Sequence, residues 1–152
     1  MSGIFLNFFH TLWIYPVLVF QIKFGFSSYL EYAFISLVFN VGDYLGRYLD
    51  TFTRQYNNKY IFHSLLLFKY LLTYYNIYAN KATGGIFFSF FFKLIYVLVF
   101  AILNGYLIVV YIEMTTANIF SIYDRQRAGY LISYSVGMGL TLGGFVSFLW
   151  SN

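Results

Sequence analysis

Cysteine is absent from the 152-residue chain, and charged side chains are scarce. Without cysteine the chain can form neither a disulfide nor a metal site built on thiolates. Charged residues make up 9% of the sequence, against about 25% in an average soluble domain. This shortage argues against a soluble globular domain and against a disordered chain. The nine basic residues form no run, so we expect no nucleic-acid partner.

Hydrophobic residues are abundant instead, at 61% of the chain, and the mean hydropathy is +0.69. A membrane-spanning helix needs about 20 mostly apolar residues. The apolar runs are continuous rather than alternating, which favours helices over strands. We therefore predict an all-α membrane protein with a single transmembrane domain, residues 1–152, in contact with membrane lipid. Its five helices are expected at about residues 4–22, 29–48, 60–78, 86–112 and 128–150.

The basic residues predict the orientation of these helices in the membrane. Five helices place the two termini on opposite sides. One side collects five basic residues, Arg47, Arg54, Lys59, Arg125 and Arg127, whereas the other collects Lys23 and Lys81. Because cytoplasmic loops carry the excess of lysine and arginine, the N-terminus is expected in the cytoplasm and the C-terminus outside it.

Polar residues form a stripe along the second predicted helix. At about 100° per residue, Ser36, Asn40, Asp43 and Arg47 fall on one face, and Asp43 and Arg47 are spaced to pair. Such a pair can bind vicinal hydroxyls, because the carboxylate accepts their protons and the guanidinium donates to their oxygens. In the alternative interpretation, Arg47 extends towards the cytoplasmic interface as an anchor and Asp43 is only its local partner. The spacing alone leaves both interpretations open.

Glycines indicate where helices approach one another closely. Gly42 and Gly46 lie on a second face of the same helix, in a small-xxx-small arrangement. In the fourth helix, Asn104, followed by Gly105, is expected to bridge neighbouring helices. Small residues of the fifth helix fall within about 80° of one another, and we interpret them as a packing face rather than a substrate contact. They are Gly129, Ser133, Gly137, Gly144 and Ser147.

Two lysines lie within predicted helices. Lys69 is near the middle of the third helix and is expected to face the bundle interior or water, because a charge is costly in lipid. Lys93 lies nearer to a helix end, and its side chain is expected to extend to the outer interface.

The polar stripe of the second helix and several of the glycines resemble motifs of a known protein family. The run Phe39-Asn40-x-x-Asp43-x-x-Gly46-Arg47 resembles the eighth helix of the equilibrative nucleoside transporter family. Asn104-Gly105-Tyr106 resembles the tenth helix of that family. Ala128-Gly129, Gly137-Met138-Gly139-Leu140 and Gly143-Gly144 resemble its last helix. The order and spacing agree over nearly the whole chain, although Gln126 and Arg127 stand where the family commonly has an acidic residue.

The resemblance implies one half of a major-facilitator-like transporter. It implies facilitated diffusion of nucleosides or nucleobases, with Asp43 and Arg47 facing the sugar and Asn40 supporting them. The six helices that come first in the family have no counterpart here. We therefore expect a C-terminal fragment or half-carrier whose partner is the missing six-helix half or another chain.

No catalytic constellation is visible in the sequence. There is no nucleophile elbow, no phosphate-binding loop and no histidine-rich metal spacing. We expect a protein that is not an enzyme and that needs no cofactor and no metal. The alternative to a carrier is a non-transporting membrane subunit with a structural or assembly role.

Overall fold

A computed structural model describes residues 2–21, 24, 27–53, 59–81, 90–116 and 122–151 of the chain. Apart from residues 24 and 27, these residues form five α-helices, so the fold of the described part is all-α, as predicted. The helices are α1 (Ser2–Gln21), α2 (Ser28–Thr53), α3 (Lys59–Lys81), α4 (Phe90–Thr116) and α5 (Ile122–Ser151).

Several helix ends lie beyond the predicted apolar runs. α2 continues past residue 48 to Thr53, α4 continues past 112 to Thr116, and α5 already begins at Ile122. The hydroxyls of Thr53 and Thr116 each donate to a backbone carbonyl one turn earlier, at 3.3 and 3.0 Å. An apolar run ends where the side chains become polar, but a helix continues as long as its backbone groups find partners. Residues 86–89, where the fourth helix was expected to begin, lie outside the described residues.

The closest helix packing occurs in two pairs, α2 with α4 and α1 with α5. In neither pair are the two helices neighbours in the sequence. α1 and α4 also contact each other, and α3 lies against both of them. α1 and α4 therefore form the centre of the bundle.

Two apolar clusters fill the interior, and α4 contributes to both. The first contains Ile14, Ile35, Tyr96, Val97 and Phe100. The second contains Ile4, Phe62, Leu66, Leu107, Val110 and Tyr111. On α4, Asn104 lies between Phe100 of the first cluster and Leu107 of the second, so this part of the core can hold polar groups between two apolar layers.

Two segments of the described chain are long and apolar enough to cross a membrane. They are Phe90–Thr116, which is α4, and Gln126–Leu149 within α5. The sequence predicts five such helices. Charged side chains within α2 and α3, such as Asp43 and Lys69, lower the apolar character of those two helices.

Candidate functional site

Asp43 and Arg47 form an ion pair on α2. Arg47 donates from Nε to Asp43 Oδ2 at 2.8 Å, and its Nη2 lies at the same distance from this oxygen. The side chain of Arg47 is 52% exposed, whereas that of Asp43 is 14% exposed. One full turn of helix separates the two residues, which places both groups on one face. The pair therefore reaches from the α2–α4 interface to the surface of the bundle.

The second carboxylate oxygen of Asp43 binds to α4. Asn104 donates from Nδ2 to Asp43 Oδ1 at 2.8 Å. The amide of Asn104 is buried, so this bond is made in an apolar environment, where an unpaired carboxylate would be costly. Asp43 is consequently held from two sides, by a guanidinium and by an amide.

The oxygen of the Asn104 amide faces a buried lysine. Lys69 of α3 is fully buried, as its expected interior position requires. Its ammonium donates to Asn7 Oδ1 at 2.7 Å, to Thr11 Oγ1 at 2.8 Å and to Asn104 Oδ1 at 2.9 Å. An ammonium has three N–H donors, and each has an oxygen partner here. We call this arrangement the ammonium site: Lys69 Nζ with the three side-chain oxygens of Asn7, Thr11 and Asn104.

An aromatic ring covers another side of the ammonium site. The ring centroid of Phe100 lies 4.9 Å from Lys69 Nζ, within the distance of about 6 Å at which a cation is attracted to a ring face. Within the site, Asn7 Nδ2 also donates to Asn104 Oδ1 at 3.3 Å. Thr11 Oγ1 lies 2.5 Å from Asn104 Oδ1 and 2.7 Å from the Asn7 carbonyl, and its one proton serves one of them.

Asn104 thus joins two groups of opposite charge. Its oxygen accepts from Lys69 and its nitrogen donates to Asp43. The reverse orientation would place the amide N–H groups against the ammonium and the amide oxygen against the carboxylate. Because both contacts would then be repulsive, the two charges fix the orientation of this amide. The polar groups form one chain from buried Lys69 to exposed Arg47.

Three of the predicted packing residues lie where α2 and α4 meet. A methyl group at Gly42 would come within 2.7 Å of the Ala101 side chain. At Gly46 it would meet the backbone of α4 at Ile102, and at Gly105 it would meet the backbone of Asp43. Glycine is required at these positions because the two backbones are nearly in contact. This close approach brings Asn104 within reach of Asp43.

The glycines of the packing face expected on α5 lie off the face that α1 occupies, whereas Ser147 of the same set is buried. A methyl group at Gly129, Gly137 or Gly144 would meet no described atom within 4 Å. The helix instead contacts α1 through Gly139 and Gly143, where a methyl group would press on the carbonyls of Phe5 and Phe9. A helical projection shows that small residues share a face, but it does not show which face a neighbour covers.

The remaining stripe residues of α2 lie apart from the ammonium site. Asn40 is exposed, one turn before Asp43. Ser36 accepts a hydrogen bond from the hydroxyl of Tyr15 at 3.0 Å, which joins α2 to α1. Lys93 is half-buried in the first turn of α4.

Sequence reasoning did not identify Asn7 and Thr11 as members of the site. Both are buried on α1, where the sequence shows them as two polar residues four positions apart in an apolar run. That spacing places them on one helix face, and this was the available signal. Their convergence on Lys69 depends on how α1 and α3 lie against each other, which the spacing within one helix does not give.

The described residues contain no group of three or more metal-ligating side chains of the histidine, cysteine, aspartate and glutamate types. The described groups of the site interact by hydrogen bonding and ion pairing. Comparison of the chain with protein-family models, curated proteins and solved structures finds no match.

Proposed function

We propose that the chain is a five-helix half of a membrane carrier that moves nucleosides or nucleobases by facilitated diffusion. In this proposal it is a multi-pass integral membrane protein with its N-terminus in the cytoplasm and its C-terminus outside. The observation that carries the proposal is the Asp43–Arg47 pair on α2, in which the arginine is half-exposed on the surface of the bundle.

The cost of placing a charge in lipid supports an aqueous or protein-covered position for the pair rather than a lipid-facing one. Leu37, Val41, Tyr44 and Tyr48 are exposed on the same helix. α3 and α5 also expose many large apolar side chains, which suits contact with lipid or with another helix bundle. A charge within such a surface is costly against lipid, so the Arg47 side of α2 is the part that we assign to a substrate pathway.

The geometry of the pair suits a ligand with neighbouring hydroxyls. Arg47 uses its Nε and Nη2 groups on Asp43 and has other N–H donors to offer. Asp43 holds its two present partners and still has lone pairs for hydroxyl protons. A ribose offers two adjacent hydroxyls, one to donate to the carboxylate and one to accept from the guanidinium.

Transport requires more than these five helices. Alternating access moves one helix bundle against another around a site near the middle of the membrane. The partner that we propose is the six-helix half that comes first in the nucleoside transporter family, on the same or on another chain. It would cover the exposed side of Asp43 and Arg47.

A second candidate function, a structural membrane subunit, has an observation in its favour. The ammonium site ties α1, α3 and α4 together, with each N–H of Lys69 on an oxygen. A scaffold would use such a site for rigidity alone. It would not need the exposed half of the Asp43–Arg47 pair, which is why we prefer the carrier.

Uptake of a labelled nucleoside tests the proposal. The chain is reconstituted in liposomes with the six-helix half of a nucleoside transporter, and each half alone is the control. We expect uptake above background only when both halves are present. Uptake by the five-helix chain alone would contradict the half-carrier, and a folded two-half complex without uptake would favour the structural subunit.

A further inference from the structure

We propose that Asn7, Thr11 and Asn104 form a binding site for a primary ammonium ion, and that the chain fills this site with its own Lys69 side chain. Lys69 is in this sense an internal ligand rather than a core residue with an incidental charge. This inference does not rest on the proposed transport function, because it concerns a site that is closed within the five helices.

The distances suit an N–H donor rather than a metal ion. The three oxygens lie at 2.7, 2.8 and 2.9 Å from Nζ. Charge-assisted N–H···O bonds measure about 2.7–2.9 Å, whereas Mg²⁺ and Ca²⁺ require oxygens at about 2.0–2.6 Å. The three partners also come from α1 and α4, so Lys69 of α3 enters a site that the other two helices build.

The charge of the site favours a single positive charge. All three oxygens belong to neutral side chains, and the nearby ring of Phe100 adds an attraction for a cation without adding a charge. A divalent ion would call for carboxylate ligands. The carboxylate of Asp43 is linked to the site by hydrogen bonds through the amide of Asn104.

The aliphatic part of the Lys69 side chain explains why the chain's own lysine occupies the site. Lys69 is among the largest fully buried side chains, so its methylene groups lie within the core together with its nitrogen. Replacing Lys69 by alanine removes three methylene groups and the ammonium while it leaves the oxygens in place. The space that results has the shape of a propylammonium ion.

Chemical rescue of the Lys69→Ala variant tests this proposal on the purified five-helix chain in detergent. We expect the thermal midpoint of the variant to rise as propylammonium is added, in the manner of a ligand that binds only the folded state. The midpoint of the unchanged chain should not respond. Neither 1-propanol, which lacks the charge, nor tetramethylammonium, which lacks N–H donors, should raise the midpoint of the variant.

A matched double variant shows whether the named oxygens hold the ion. Thr11→Val keeps the side-chain shape and removes one oxygen. Combined with Lys69→Ala it should weaken propylammonium binding by about tenfold or more, the effect of one lost hydrogen bond to a charge. Equal rescue of the single and double variants, or equal rescue by 1-propanol, would overturn the site.

A measurement on the unchanged chain covers the case in which Lys69→Ala does not fold. An amine-acylating reagent, read out by peptide mass spectrometry, should modify Lys69 at least about tenfold more slowly in the folded chain than in the chain unfolded by denaturant, because Lys69 donates all three N–H groups within the core. Thr11→Val should raise the rate at Lys69 without changing the rate at Lys93. Equal rates at Lys69 in the folded and the unfolded chain would overturn the proposal.

Discussion

Asn104 donates to Asp43 at 2.8 Å from the same amide whose oxygen accepts from buried Lys69. One neutral side chain therefore separates an ammonium from a carboxylate and satisfies both. Its position depends on Gly105, which brings the backbone of α4 against that of Asp43. The close packing of α2 on α4 and the hydrogen bonds of Asn104 therefore depend on each other. We expect a substitution that disturbs either one to disturb the other.

Replacing Asp43 by asparagine should weaken the uptake of nucleosides more than that of nucleobases in the two-half carrier. The carboxylate accepts from sugar hydroxyls, and a nucleobase has no sugar. Loss of a hydrogen bond to a charged group corresponds to about 1.5–3 kcal/mol, or roughly tenfold to a hundredfold in affinity. Labelled uptake of a nucleoside and its base measures the difference. Asp124→Asn, the same change at an exposed position of α5, is the control, and equal losses for both substrates would assign Asp43 a structural role.

Replacing Asn104 by leucine should destabilise the folded chain strongly. The substitution keeps the approximate shape but leaves Lys69 and Asp43 each without one hydrogen bond in the core. We expect a loss on the order of 3 kcal/mol, since two bonds to charged groups are broken. Denaturant unfolding in detergent provides the measurement. Asn40→Leu, on the exposed face of α2, should change the stability little, and similar losses in both variants would remove the special role of Asn104.

Leucine at Gly46 should separate α2 from α4, whereas leucine at Gly137 should be tolerated. A side chain at Gly46 would meet the backbone of α4, but one at Gly137 would meet no described atom within 4 Å. Forcing extra atoms into a close contact costs about 1–3 kcal/mol or more. The thermal midpoints of the two variants in detergent compare them directly. Equal destabilisation would mean that another chain or helix covers the open face of α5.

Tags at the two ends of the chain should be accessible from opposite sides of the membrane. This expectation follows from the five membrane helices that the sequence predicts and from the five-to-two asymmetry of basic residues across them. Labelling of intact cells, before and after permeabilisation, measures it. Labelling of both ends from the same side would show that the number of spanning helices is even.

The ion pair and the buried lysine could be anticipated from the sequence, but their connection could not. Asp43 and Arg47 are one helical turn apart, and this spacing alone predicts their contact. Lys69 was expected to face the bundle interior or water because a charge would be costly in the lipid that the sequence predicts around this helix. The partners of Lys69 lie on two other helices, and their register is set by side-chain packing over the whole interface.

The two glycine faces show the same limit. On α2, Gly42 and Gly46 lie where the sequence places a packing face, and α4 contacts them. On α5, Gly129, Gly137 and Gly144 of an equally regular set are open although Ser147 is buried, and α1 lies on the neighbouring face with Gly139 and Gly143. Small residues permit close approach, but the choice between two permissive faces depends on the complementary shape of the partner.

The pairing of α1 with α5 and of α2 with α4 also bears on how the chain folds during synthesis. Neither tight pair can form as a hairpin of sequential helices, so each contact is non-local, and such contacts slow folding. α2 can pack on α4 only after α4 has been synthesised, and α1 can pack on α5 only after α5 has left the ribosome. Until α5 has been synthesised, nothing from that helix covers the backbone carbonyl of Phe9, which lies against Gly143 in the folded chain. A chain interrupted before α5 would therefore keep this face of α1 open, as a point for wrong association or for recognition by quality control.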